Sequence, residues 1–225
     1  MVVAAAALEL GLIGLNDKIF CAGFYELGSR KFHCWLKGGH GKLTLQEAIQ
    51  KSCDVYFYEL ARKVGVKRIG DMARRLGLGQ AYNLPLTGLS KGFVPTKKWK
   101  KERFGTSWLV GDTLNVGIGQ GFSLATPLQL AVMTARLASG KEITPNIIKN
   151  SNKNAENPKA LSIKENTLIA IRKGMFNVLN EKEGTAFNFR TTDKNFLIAG
   201  KTGTSQVRRI TREEREEGVI KNEDL

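Results

Sequence analysis

The sequence predicts an α+β fold: a cluster of helices dominates, and one apolar strand with a polar end lies near the C-terminus. Three observations carry this reading. Helix starts are written out as cap signals, at Thr44-Leu45-Gln46-Glu47, Thr126-Pro127-Leu128-Gln129 and Ser162 to Glu165. Glycines close periodic apolar runs, at Gly65, Gly77 and Gly140. Phe196-Leu197-Ile198-Ala199 is a short apolar run that leads into Gly200-Lys201-Thr202-Gly203-Thr204 and reads as a buried strand.

Taken in order, residues 1–14 read as a hydrophobic helix ending near Gly11 or Gly14. Residues 16–43 are glycine-rich with little periodicity and read as loop. A short helix starts at Thr44 and runs into Ser52-Cys53-Asp54. Val55 to Val64 follows as a second helix, closed by Gly65. Ile69, Met72 and Leu76 mark one face of a third, ended by Gly77. Residues 79–115 look irregular, with a Lys/Trp-rich patch around Trp99 and Trp108. Gly117-Ile118-Gly119-Gln120-Gly121 is a glycine-rich turn before the helix that begins at Thr126 with proline in its first turn. Residues 149–160 form a polar Asn/Lys loop, and Ser162 to Glu165 opens a helix to about Asn180. The tail, residues 211–225, alternates charges and reads as a mobile loop.

At 225 residues, 42% hydrophobic and 25% charged, the chain suits one large domain or part of a larger one, with a substantial core. A net charge of +14 favours anionic partners. No nucleic-acid motif accompanies it, so a nucleic-acid partner is not expected. The clusters Lys97-Lys98, Lys100-Lys101 and Arg208-Arg209 read as solvated basic surface. The apolar start lacks a basic leader and is broken by Glu9 and Gly11, so it reads neither as an export signal nor as an anchor. Its abrupt beginning inside a helical pattern reads as an incomplete N-terminus.

Two polar stretches carry chemistry. Lys201-Thr202-Gly203-Thr204 offers a cation and two hydroxyls on a strand edge, suited to a carboxylate or an extended peptide. Alone, it reads equally as a polar strand end. Ser52 and Asp54 sit two apart at a break between helices, where a hydroxyl and a carboxylate can face one cleft. Ordinary helix capping also explains that pair.

Five stretches occur in a fixed order: Gly-Gly-His-Gly at 38–41, Ser-Cys-Asp-Val-Tyr-Phe-Tyr at 52–58, Gly-Asp-Thr-Leu-Asn-Val-Gly-Ile-Gly-Gln-Gly at 111–121, Ala-Thr-Pro-Leu-Gln at 125–129 and Gly-Lys-Thr-Gly-Thr at 200–204. Together they resemble the transpeptidase domain of the penicillin-binding protein 2 family, a class B penicillin-binding protein family, over nearly the whole chain. The resemblance implies the penicillin-binding protein/β-lactamase-like fold, a helical cluster plus an antiparallel sheet. It also implies a D,D-transpeptidase that cross-links peptidoglycan stem peptides through a serine acyl-enzyme that β-lactams also form. By that match Ser52 relays protons and holds the nucleophile's lysine, and Asp54 orients substrate amides. Lys201 supports proton transfer and the substrate carboxylate. Thr202, Gly203 and Thr204 complete the carboxylate wall and one oxyanion donor. The resemblance further implies cell-elongation proteins as partners and the periplasmic face of the bacterial inner membrane as the full-length relative's location.

One family motif is missing. None of Ser29, Ser52, Ser90, Ser107, Ser123, Ser139, Ser151, Ser162 and Ser205 has a lysine three residues on, so Ser-x-x-Lys is absent. In the family it precedes a helix like Val2 to Glu9, and the domain continues past Leu225. The expectation is a partial domain over residues 1–225, starting just after the nucleophile and inactive alone.

Cys21, Cys34 and Cys53 fall in one 33-residue window with His33 and His40. Three thiolates and one imidazole make a closed tetrahedral zinc set. The spacing Cys-x12-Cys-x5-His-x12-Cys is no finger pattern. Some relatives carry zinc in this loop, and the resemblance matches Cys21, Cys34, His40 and Cys53 to its ligands, His33 being the weaker choice. A disulfide or three free thiols are the alternatives. As a whole-protein alternative, the same residues describe a non-catalytic zinc-containing module that binds peptidoglycan or a partner protein.

Overall fold

The computed structural model describes residues 1–148 and 157–204. The tail at 211–225 and most of the Asn/Lys loop lie outside the described residues. The architecture is α+β. Helix α1 (Val2–Glu9) is apolar on every side up to its last residue, Glu9, and Val3 to Ala7 are buried. A helix without a polar face belongs in the interior, and α1 is the central one. It packs against α3 (Asp54–Val64), α4 (Val66–Arg75) and α8 (Glu165–Asn180). Helix α2 (Leu45–Gln50) lies along α8, where a methyl group on Gly174 would come within 2.9 Å of Ile49 Cδ1. Leu45, Ile49, Leu60 and Ile171 are fully buried between these helices. Each contributes about 1.5–3 kcal/mol by leaving water.

The region 16–43, expected as loop, forms two antiparallel ribbons. β1 (Ile19–Cys21) pairs with β4 (Gly41–Leu43), setting Cys21 opposite Gly41. β2 (Phe24–Leu27) pairs with β3 (Arg30–His33), setting Phe24 opposite His33. Strands of three or four residues carry too few alternating positions to register as a period of two.

The region 79–115, expected as irregular, contains α5 (Lys97–Phe104) and the start of α6 (Val110–Gly117). Helix α5 has almost no apolar stripe. Thr96 Oγ1 caps it from the Trp99 N–H at 3.1 Å, and Trp99 stacks edge-on to Phe104 and Phe122 at 5.5 and 5.2 Å. Buried Lys100 is paired with Asp112. Helix α7 (Pro127–Ser139) follows, with Thr126 and Gln129 forming the expected capping box.

Two further expectations change. The Ser162–Glu165 box does not form. Lys164 is the N-cap of α8, and Glu9 Oε1, arriving from α1, accepts from the Lys164 N–H at 3.1 Å and the Thr167 hydroxyl at 2.6 Å. A carboxylate from another helix thus takes over the local cap. The expected strand at 196–199 is irregular chain without a ladder, and Phe196, Leu197 and Ile198 are exposed. A strand exists through its neighbour, and among the described residues none lies alongside. The segment instead hangs on α8, with Gly200 N–H donating to Met175 O at 3.1 Å and Asn180 Nδ2 donating to Ile198 O at 2.9 Å.

Candidate active site

Helix α2 ends in a Schellman motif. Cys53 N–H bonds back to Ala48 O at 3.0 Å, and Ser52 N–H to Ile49 O at 3.3 Å. This places Ser52 in the left-handed position, usually glycine's, with φ 53°. It is the one non-glycine described residue with positive φ. The conformation costs a serine about 1–2 kcal/mol. It lets the chain turn within three residues, 51–53, from α2 into α3, and it leaves the hydroxyl free to meet a partner from outside the corner.

Lys201 meets that hydroxyl. Its Nζ donates to Ser52 Oγ at 2.7 Å, to Thr202 O at 2.8 Å and to Thr202 Oγ1 at 3.3 Å. Thr185 and Thr202 hydroxyls lie 2.7 Å apart, so the loop after α8 braces the lysine's neighbour. Burial lowers the Lys201 ammonium to about 8, with Asp54 pulling the other way. An amine poised there exchanges a proton with a bonded hydroxyl near neutral pH. Thr202, Gly203 and Thr204 are exposed, and among the described residues no atom lies within 4 Å of where a Cβ on Gly203 would sit.

Asp54 opens α3 from the other side of the corner. Burial pushes its carboxyl up to about 6, against the pull of the Trp35 N–H, which donates to Oδ2 at 2.9 Å. The Trp35 indole N–H donates to both Lys51 O and Ser52 O at 3.0 Å. Sequence reasoning did not single out Trp35. A lone tryptophan in a glycine-rich stretch carries no periodic signal, and its position directly after Cys34 was the available clue.

Cys21, Cys34, His40 and Cys53 converge, one ligand atom from each lying within 4.8 Å of all the others. The three thiols are buried and unpaired by disulfide. His40 Nδ1 is 3.7 Å from Cys21 Sγ and 3.5 Å from Cys34 Sγ. Tetrahedral zinc with ordinary bond lengths sets sulfur and nitrogen roughly 3.6 Å apart, so this donor set fits the ion. Hydrogen bonding within the cluster pulls the Cys34 thiol down and pushes that of Cys53 up. His33 stays outside the cluster. The turn that carries His40 is tightly built: at Gly39 (φ 76°) a Cβ would sit 2.3 Å from Cys21 O.

A helical core, a Ser-x-Asp corner and a Lys-Thr-Gly edge bonded to it are the arrangement of the penicillin-binding protein/β-lactamase-like fold. The family model described as the penicillin-binding protein transpeptidase domain matches residues 1–219, and the chain belongs to that family. Within it, similarity runs to penicillin-binding protein 2. The chain is 35% identical over 221 residues to peptidoglycan D,D-transpeptidase MrdA of Haemophilus influenzae, covering 91% of this chain and 33% of that protein. It is 34% identical over 223 residues to the MrdA of Acinetobacter baumannii, covering 94% of this chain and 33% of that protein. The structure of penicillin-binding protein 2 from Helicobacter pylori superposes with a TM-score of 0.84 at 38% identity, covering 92% of this chain and 39% of that one. The same figures hold for that protein solved in complex with MreC. The chain therefore spans about a third of the length of the curated relatives it matches.

Proposed function

We propose that this chain forms the carboxylate-binding and proton-relay side of a peptidoglycan D,D-transpeptidase site. The Lys201–Ser52 hydrogen bond of 2.7 Å carries the reading. A stem-peptide carboxylate would accept from the Lys201 ammonium and the Thr202 and Thr204 hydroxyls, the charge-assisted pairing that holds best where water is partly excluded. Ser52 would pass a proton between Lys201 and the lysine of a Ser-x-x-Lys motif. Asp54 would orient substrate amides, and the backbone at Thr204 would donate to the developing oxyanion. Support comes from the relatives named as D,D-transpeptidases and from the family's domain over residues 1–219.

Because the 225 residues contain no Ser-x-x-Lys, the chain alone binds such ligands without forming an acyl-enzyme. The test is an NMR titration with a soluble peptide ending in D-alanyl-D-alanine, beside a gel assay with fluorescent penicillin. Expected are shifts confined to residues 52–54 and 201–204, abolished by Lys201→Ala, and no covalent label. Absence of binding overturns the substrate reading; a covalent adduct overturns the missing nucleophile.

A structural zinc ion belongs to the same proposal. Cys21, Cys34, His40 and Cys53 would hold it, and the fit of their spacing to a tetrahedral ion supports this. A closed site of three thiolates and an imidazole supplies folding energy and leaves no open position for chemistry. The complex of a relative with MreC points to a cell-elongation partner, and the class points to the periplasmic face of the inner membrane. Among the described residues no helix is long and apolar enough to cross a membrane.

A further inference from the structure

We infer that Trp35 is a positioning residue that locks the Ser52–Asp54 corner to the loop carrying Cys34 and His40. Four contacts converge on it. The indole N–H is shared between Lys51 O and Ser52 O, both at 3.0 Å. These are carbonyls at the end of α2, and the left-handed Ser52 lies between them. The Trp35 backbone N–H meets Asp54 Oδ2 at 2.9 Å. The ring stands edge-on to His40 at 5.4 Å. One residue therefore fixes the carbonyl on each side of the strained corner and the carboxylate that follows it.

The arrangement has a mechanical logic. A left-handed serine is held only where its surroundings over-determine it. The backward bonds of the Schellman motif fix the amides of Ser52 and Cys53. They leave the carbonyls of Lys51 and Ser52 to other donors, and the indole supplies one. If those carbonyls were released, the corner would be free to relax, and Ser52 Oγ would swing away from Lys201. The loop from Cys34 to His40 thereby reports its own geometry to the Ser52 hydroxyl through one side chain. Trp35 is 57% exposed, so removing its N–H opens no hole in the core.

This role rests on the assignment of Ser52 and Asp54 to the transpeptidase site, but its first readout does not. Amide hydrogen exchange on the full chain, at constant metal content, compares wild type with Trp35→Phe, which keeps an aromatic ring and loses the donor. Trp108→Phe is the control, since that indole bonds Thr113 Oγ1 on α6 and none of the corner's carbonyls. The amides of Ser52 and Cys53 should exchange about tenfold faster in Trp35→Phe, as loss of a shared hydrogen bond implies. Those of Tyr58 to Ala61 in α3 should be unchanged, and Trp108→Phe should leave the corner as it was. In unsubstituted protein the Trp35 indole proton should also be protected. The D-alanyl-D-alanine peptide should bind Trp35→Phe about tenfold more weakly at an unchanged melting temperature. Equal exchange at Ser52 and Cys53, or an unprotected Trp35 indole proton in wild type, overturns the inference. Altered exchange without peptide binding by either protein overturns the proposed function alone.

Discussion

Lys201 Nζ and Ser52 Oγ lie 2.7 Å apart across 149 positions of sequence. Neither residue is delivered by a regular element. Ser52 stands in a three-residue corner between helices, and Lys201 on irregular chain tied to α8 through Gly200 and Asn180. The site is thus the meeting of two irregular segments, each fixed by the helical core beneath it.

Lys201 should leave a signature in the pH dependence of stability. Its folded pKa, about 8, lies below the 10.5 of the free side chain. Between those values the unfolded chain binds more protons than the folded one, so stability rises with pH across the window. The cost of burying the charge is complete below about 8 and gone above 10.5. Urea unfolding of wild type and Lys201→Met should show wild type gaining on the variant from pH 7.5 to pH 10. A constant difference would show that the lysine titrates normally.

The thiol cluster makes a separate prediction. Purified under reducing, zinc-replete conditions, the chain should hold one zinc per molecule by elemental analysis. Cys53→Ser and His40→Ala should each release most of it, and a strong chelator should lower the melting temperature of wild type but hardly that of the variants. Less than half an equivalent in wild type would exclude a structural ion. His33→Ala should retain the metal, since His33 lies outside the cluster.

Gly39 tests the turn that brings His40 to the cysteines. Its φ of 76° is left-handed, and an added Cβ would overlap Cys21 O at 2.3 Å and Gly23 N at 2.5 Å. Both are backbone atoms and cannot step aside. Gly39→Ala should destabilise the fold by about 2 kcal/mol or more and lower zinc stoichiometry with it. Gly38→Ala, where no atom lies within 4 Å, serves as the control and should be near neutral.

Much of this was legible in the sequence, and what was not has physical reasons. The boxes at Thr44–Glu47 and Thr126–Gln129 formed as read because a capping box is local. Glycines 65, 77 and 140 end their helices in positive φ. The box at Ser162–Glu165 does not form because α8 is capped at Lys164 instead, where Glu9, distant in sequence, accepts the Lys164 N–H. Ribbons β1–β4 were invisible because pairing partners, not local pattern, make such short strands. The strand at Phe196–Ala199 has the right composition but lacks a described neighbour. Ser52, Asp54 and Lys201 each stand out in the sequence. The contact of Ser52 with Lys201 does not follow from local pattern, because the left-handed corner and the tether of 198–200 to α8 are tertiary facts.

Ser52 itself offers the most direct trade between stability and chemistry. Glycine is the residue the Schellman position favours, and alanine has the same Cβ strain as serine without the hydroxyl. Both Ser52→Gly and Ser52→Ala remove the acceptor for Lys201, so their comparison isolates the backbone. Ser52→Gly should be more stable than Ser52→Ala by about 1 kcal/mol in urea unfolding, less whatever glycine's added freedom gives to the unfolded chain. Both should lose the D-alanyl-D-alanine titration at residues 201–204. If alanine proves as stable as glycine, the corner is not strained in solution, and the positive φ of Ser52 does not store the energy assigned to it.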